Sequence, residues 1–290
     1  MRTMGQRPLA DAWIFVSLVL GLSLLVFWGP LALFGITTIS FVSEERGPIW
    51  AIVLFMIGGF APSIVGVVLA RLRGGKEELR RLMKKLIDVR LGARWYVAIV
   101  ATVALTTLSQ IGLNRLLGNR FDFGLFVAQL PSLLPLIVIG PLSEELGWRG
   151  FLLSRLQAKL GALYSSIVVG IAWAVWHLPL FAIPGTSQRE LGLPFFGFLI
   201  GLVAISIIMT WFHNNTRGSV WTAVVFHWLY TYAAQVTATG VNRGSVYNWL
   251  EYLPFVAIAV ILLIARPSLG LRRADDGSQS RRFPGNDADG

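Results

Sequence analysis

The sequence predicts an all-α, polytopic membrane protein, a bundle of about eight transmembrane helices enclosing an intramembrane polar cavity. Three observations carry this reading. Hydrophobic residues make up 55% of the 290-residue chain and charged residues only 14%, with a mean hydropathy of +0.66, a balance outside the range of soluble domains. The apolar residues fall into stretches of about 20 or more, the length that crosses a bilayer as helix. Several ionisable residues nevertheless sit inside these stretches, where a charge costs about 2.5–3.5 kcal/mol on insertion scales and signals function by default.

Taken in order, the expected spans are 11–38, 49–71, 95–117, 124–153, 161–183, 194–213, 218–238 and 247–266. The first, apolar from Trp13 to Thr38, is longer than a signal-peptide core and lacks a small-residue cleavage site, so it is expected to remain as a helix. The fourth begins after Asp122 and runs past a pair of glutamates to the polar patch around Arg155 and Lys159. Residues 1–266 read as a single transmembrane domain without internal repeats, its motif-bearing core at about 124–238. The remainder, 267–290, is rich in Pro, Gly, Ser, Asp and Arg and is expected to be a disordered cytoplasmic tail.

Charge distribution sets the expected orientation. The loop 71–94 carries Arg71, Arg73, Lys76, Arg80, Arg81, Lys84, Lys85, Arg90 and Arg94, whereas the preceding connection has Arg46 beside Glu44 and Glu45. The positive-inside rule places the basic loop in the cytoplasm. Eight spans then put both termini inside, in keeping with Arg2, Arg7, Arg272, Arg273, Arg281 and Arg282. Within the loop, Leu79, Leu82, Met83, Leu86 and Ile87 recur at helical spacing, which predicts an amphipathic helix against the anionic inner leaflet. The net charge of +10 thus flanks the spans rather than forming a nucleic-acid footprint, and no nucleic-acid partner is expected. The lean loops look bacterial, which makes the cell membrane the expected location. No cysteine is present, so thiolate ligands, disulfides and a cysteine nucleophile are excluded.

The chemistry gathers in Ser143-Glu144-Glu145-Leu146-Gly147-Trp148-Arg149. On a helix, residues four apart share a face, so Glu145 pairs with Arg149 while Glu144 turns elsewhere, free to face a cavity and take up a proton. A buried network that only holds helices together is the alternative. His177 closes Trp173-Ala174-Val175-Trp176-His177-Leu178-Pro179, and His227 opens His227-Trp228-Leu229-Tyr230-Thr231. Pro179 and Pro141 remove hydrogen bonds from the carbonyls of Val175 and Ile137, which suggests a wet cavity beside these groups. His227 and Thr231 share a face, with Gln235 one turn on, and could cradle an oxyanion or simply bond a neighbouring helix. His213, among Asn214, Asn215, Thr216 and Arg217, is expected at the membrane interface. Glu144, His177 and His227 would suit zinc, but no His-Glu-x-x-His pair occurs. The preferred reading needs no cofactor and leaves zinc as the alternative.

Three blocks together resemble the CPBP family, the type II CAAX prenyl endopeptidases and their Abi-type bacterial relatives. They are Glu144-Glu145-x-x-x-Arg149-Gly150, Trp176-His177-Leu178-Pro179-Leu180-Phe181, and Arg217-Gly218-Ser219 followed by Phe226-His227. Gly58-Gly59-Phe60-Ala61-Pro62 resembles a family helix upstream, so the likeness spans most of 49–238. The resemblance implies an intramembrane endopeptidase, open to the cytoplasm, that cleaves a membrane-associated peptide or protein. Carried over by motif, Glu144 is the water-activating carboxylate with His177 as partner, Glu145 and Arg149 support it, and His227 is an oxyanion donor. Trp173 replaces the family's usual Phe, and Thr231 replaces a frequent Asn or Asp, which puts an oxyanion role for Thr231 in question. The alternative is a non-catalytic binding, immunity or transport protein using the same polar cluster.

Overall fold

Every regular element among the described residues is helical. The computed structural model describes residues 7–38, 46–129, 131, 139–240 and 245–271. Ile137 and residues 272–290 of the expected tail therefore lie outside the described residues.

The first span is helical from Pro8 to Leu33, as α1 (Pro8–Leu22), a π-helical turn Ser23–Phe27 and α2 (Trp28–Leu33). Pro30 has no N–H to offer the preceding turn, and the π turn is placed just ahead of it. α3 (Ile49–Leu86) is a span joined to a surface helix, broken at Gly75, whose φ of 72° and ψ of −163° only glycine adopts comfortably. α4 (Ala93–Leu116) returns across the bundle, followed by the short α5 (Phe123–Gln129). α6 (Ile139–Glu145) runs into a π-helical segment, Leu146–Leu153, and then into α7 (Ser154–Trp176). After α8 (Ser187–Glu190) come α9 (Phe195–Asn215), α10 (Val220–Gly240), α11 (Ser245–Leu250) and α12 (Leu253–Ala265).

The polytopic helical bundle is as expected, with differences in its divisions. Six helices among the described residues are long and apolar enough to cross a membrane. The expected helix 124–153 appears as α5 and then from Ile139 onward, residues 130 and 132–138 being outside the described set. The fourth and fifth expected spans form one helical run, Gly140–Trp176. They are separated by Gly161 at φ 72° and ψ 177°, and the chain folds back there, because Glu144 before the break touches Trp173 after it. The fifth span ends at Trp176 rather than 183: Pro179 cannot continue the ladder, and Leu178–Phe181 form a 3₁₀ turn. α10 is as long as α9 but, with His227, Thr231, Gln235 and other polar residues along it, is not among the six.

Two clusters hold the bundle. Phe15, Trp28, Phe151, Trp148 and Trp176 pack as an aromatic core, with Phe15 against both Trp148 and Phe151 at centroid distances of 5.4 and 5.5 Å. At one end, Arg155 is bound to Glu78 and lies 3.7 Å from Asp11, which also meets Arg73. The amphipathic helix after Gly75 packs onto this end, since Leu82 is buried and Met83 and Leu86 rest on the core. Residues 267–271 fold back as well: Leu269 is buried and its carbonyl accepts a hydrogen bond from Asn214.

Candidate active site

The two glutamates sit on the last turn of α6, where the chain enters a π-helical segment buried along its whole length. Gly147 allows this segment to touch α3, since a Cβ there would overlap the backbone of Pro62. The neighbours in sequence diverge in space. Glu145 and Arg149 are both 0% exposed, and Arg149 donates to Glu145 Oε1 over 2.8 Å. The same oxygen lies 2.7 Å from His227 Nδ1. The guanidinium also stacks over the Trp173 ring at 4.4 Å, a cation–π contact favoured away from water.

Glu144 faces a cavity of about 270 Å³, which it lines together with His177, His227 and Thr231. The Trp173 indole N–H donates to Glu144 Oε2 over 2.7 Å. His177 Nδ1 is 2.8 Å from the Trp173 carbonyl; a carbonyl only accepts, so Nδ1 carries the proton and Nε2 keeps a lone pair. Trp173 thereby fixes both groups from one helix. Leu191, Leu193, Phe198 and Leu202 give the cavity an apolar wall, and Ser187, Gln188 and Gln235 its polar end. Ser187 and Gln235 are hydrogen-bonded at 3.0 Å, tying the α8 loop to α10.

Of the expected site residues, Glu144, His177, His227 and Thr231 meet at the cavity, while Glu145 and Arg149 lie behind it. His227 differs from expectation in having Nδ1 engaged by Glu145, which leaves Nε2 for the cavity. His213, at the end of the α9 span, is buried within the protein, 3.1 Å by Nδ1 from the Ser219 carbonyl, because the α9–α10 turn closes over it. Among the groups that escaped the sequence reading are the Trp173 N–H as a donor behind the cavity, and Tyr230 in its lining, whose ring stacks on His227 at 5.2 Å. An indole at the depth of a carboxylate is the signal that could have revealed the first.

The groups that could hold a metal also differ from the expected set. Among the described residues, Glu144, Glu145 and His227 have ligand atoms within 4.8 Å of one another, and His177 is not in that trio. Two carboxylates and an imidazole are plausible zinc ligands, but Glu145 Oε1 is already shared by Arg149 and His227. The guanidinium there competes with a second cation, so the donor set fits a metal poorly.

A model of the Rce1-like type II CAAX prenyl endopeptidases matches residues 126–233. The chain is 29% identical over 239 residues to CAAX prenyl protease 2 of Methanococcus maripaludis, covering 77% of this chain and 85% of that protein. It is 23% identical over 201 residues to lysostaphin resistance protein A of Staphylococcus haemolyticus, covering 67% of this chain and about half, 52%, of that protein. These matches favour the enzyme over the non-catalytic alternative. Because the matched region holds both glutamates and both cavity histidines within a helical membrane bundle, residues 126–233 are similar to the Rce1-like type II CAAX prenyl endopeptidases, and the chain is an intramembrane endopeptidase.

Proposed function

We propose that Glu144 activates a water molecule for attack on a peptide carbonyl of a membrane-associated peptide or protein. The observation that carries this reading is the different occupation of the two glutamates. Among the described residues, Glu145 is taken up by Arg149 and His227, whereas Glu144 accepts from the Trp173 indole N–H and lines the cavity. Water between Glu144 and His177 Nε2 loses its proton to the Glu144 carboxylate as its oxygen bonds to the carbonyl carbon. The developing oxyanion is met by His227, whose protonated Nε2 donates to it while Nδ1 stays on Glu145. Glu144 then passes its proton to the leaving nitrogen and the C–N bond breaks.

Thr231, one turn after His227, contributes a hydroxyl to the same wall and shapes the subsite rather than replacing His227. The apolar wall suits aliphatic or aromatic substrate side chains. The exposed Arg81 and Lys84 on the surface helix suit anionic lipid headgroups. The reaction needs no cofactor, since the charge a metal would supply is present as Arg149 and His227.

The test is cleavage of a quenched fluorogenic peptide library by the purified protein beside Glu144→Gln, each with and without a strong chelator. Cleavage that survives chelation and disappears in folded Glu144→Gln is expected. Retained cleavage by Glu144→Gln would overturn the role of Glu144. Loss on chelation with recovery on adding zinc would turn Glu144, Glu145 and His227 into a metal centre.

A further inference from the structure

We propose that a second polar pocket, between the surface helix and the α9–α10 turn, binds a phosphomonoester group, with Lys85 and His213 as the residues that hold the phosphate. This pocket shares no lining residue with the catalytic cavity, and the site does not depend on the peptidase reading.

The pocket has a volume of about 360 Å³. Lys85 reaches it from the surface helix, Ser154 and Gln157 from the first turn of α7, His213 and Asn214 from the end of α9, and Gly218 from the turn that follows. Among the described residues no carboxylate lines it. The neighbouring cations are already engaged, Arg155 with Glu78 and Asp11, and Arg217 with Asp88. Lys85 is half-buried and, among the described residues, belongs to no ion pair. A partly desolvated ammonium without a counter-charge favours an anion beside it.

The geometry at Gly218 brings a second nitrogen to the same place. A Cβ there would lie 3.5 Å from both Lys85 Nζ and His213 Nε2, so glycine leaves open the space that the two nitrogens face. The His213 ring is 3% exposed, and its Nδ1 is engaged by the Ser219 carbonyl. A carbonyl only accepts, so Nδ1 carries the proton and Nε2 presents a lone pair. Gln157 donates to Asn214 Oδ1 over 3.1 Å and Asn214 to the Leu269 carbonyl over 3.1 Å, which fixes the polar wall.

An ammonium donor beside an imidazole acceptor selects the ligand. A phosphomonoester gives up its last proton with a pKa of about 6. Its charged oxygens accept from Lys85 while its P–OH donates to His213 Nε2, a set of charge-assisted hydrogen bonds. A phosphodiester has no proton to give to Nε2. The phosphate is borne by a lipid headgroup or is free in solution, and the surface helix, with Arg81 and Lys84 exposed beside Lys85, suits either source.

The test follows melting of the purified full chain in neutral detergent as inorganic phosphate, phosphatidic acid or phosphatidylglycerol is added at constant ionic strength. The parent is compared with Lys85→Gln, His213→Asn and Lys84→Gln; His213→Asn keeps a donor for the Ser219 carbonyl and lacks Nε2. The expected result is a saturable rise in melting temperature with a phosphomonoester in the parent and in Lys84→Gln. Phosphatidylglycerol is expected to bind about ten-fold more weakly, the value of one hydrogen bond to a charged group, and Lys85→Gln and His213→Asn to lose affinity for the phosphomonoester by a similar factor. A rise with inorganic phosphate assigns the site to the phosphate alone, and a rise with phosphatidic acid only assigns it to a lipid headgroup. No saturable rise with either phosphomonoester, equal responses to phosphatidic acid and phosphatidylglycerol, or an undiminished response in folded Lys85→Gln overturns the proposal. Native mass spectrometry of the parent with the same ligands decides the matter without any variant: one bound phosphomonoester per chain is expected, and its absence overturns the site.

Discussion

Glu144 and Glu145 share a peptide bond but not an environment, and the difference is made by residues distant in sequence. His227, which approaches Glu145, is 82 positions away, and Trp173, which holds Glu144, is 29 away. The i,i+4 pairing of Glu145 with Arg149 was legible in the sequence, since helical geometry alone brings those positions together. The Trp173 contact was not, because it depends on the fold-back at Gly161. A hydrogen bond to a charged acceptor is worth about 1.5–3 kcal/mol. Trp173→Phe keeps the ring and removes the donor, so it is expected to lower kcat about ten-fold or more with little change in KM. An unchanged kcat would show that the indole N–H does not position Glu144.

At the scale of elements, apolar run length gave the spans well, and where it failed the backbone explains why. Glycines and a proline mark the breaks: Gly75 turns α3 from a span into a surface helix, Gly161 separates two antiparallel spans, and Pro179 ends α7 beside His177. The π-helical segment after Glu145 has no pattern in the sequence distinct from that of an α-helix. Its closeness to α3 rests on Gly147, where a Cβ would overlap Pro62. Overpacking of this kind costs about 1–3 kcal/mol, so Gly147→Ala is expected to lower the melting temperature in detergent and to reduce cleavage by moving both glutamates. A variant with parental melting temperature and turnover would contradict the close approach.

For the whole molecule, composition already required a helical membrane bundle, and the fold adds a division of its buried polar groups. Arg155, Glu78 and Asp11 hold one end together, while Glu144, His177 and His227 line the cavity. The amphipathic helix, expected at a lipid surface, spends much of its apolar face on the bundle itself through Leu82. That use could not be read from its periodicity, which is the same for a lipid and for a protein partner. The buried layer links stability to chemistry, because Glu145, Arg149 and His227 must be held together for Glu144 to be left free. Removing one partner of a buried ion pair typically costs about 3–5 kcal/mol, since the other charge is stranded. The most direct measurement of this division is therefore to compare melting temperature and turnover of Glu144→Gln and Arg149→Ala with the parent in the same detergent. The expected result is a parental melting temperature without cleavage for Glu144→Gln, and a markedly lowered melting temperature for Arg149→Ala. A parental melting temperature for Arg149→Ala, or cleavage by Glu144→Gln, would contradict it.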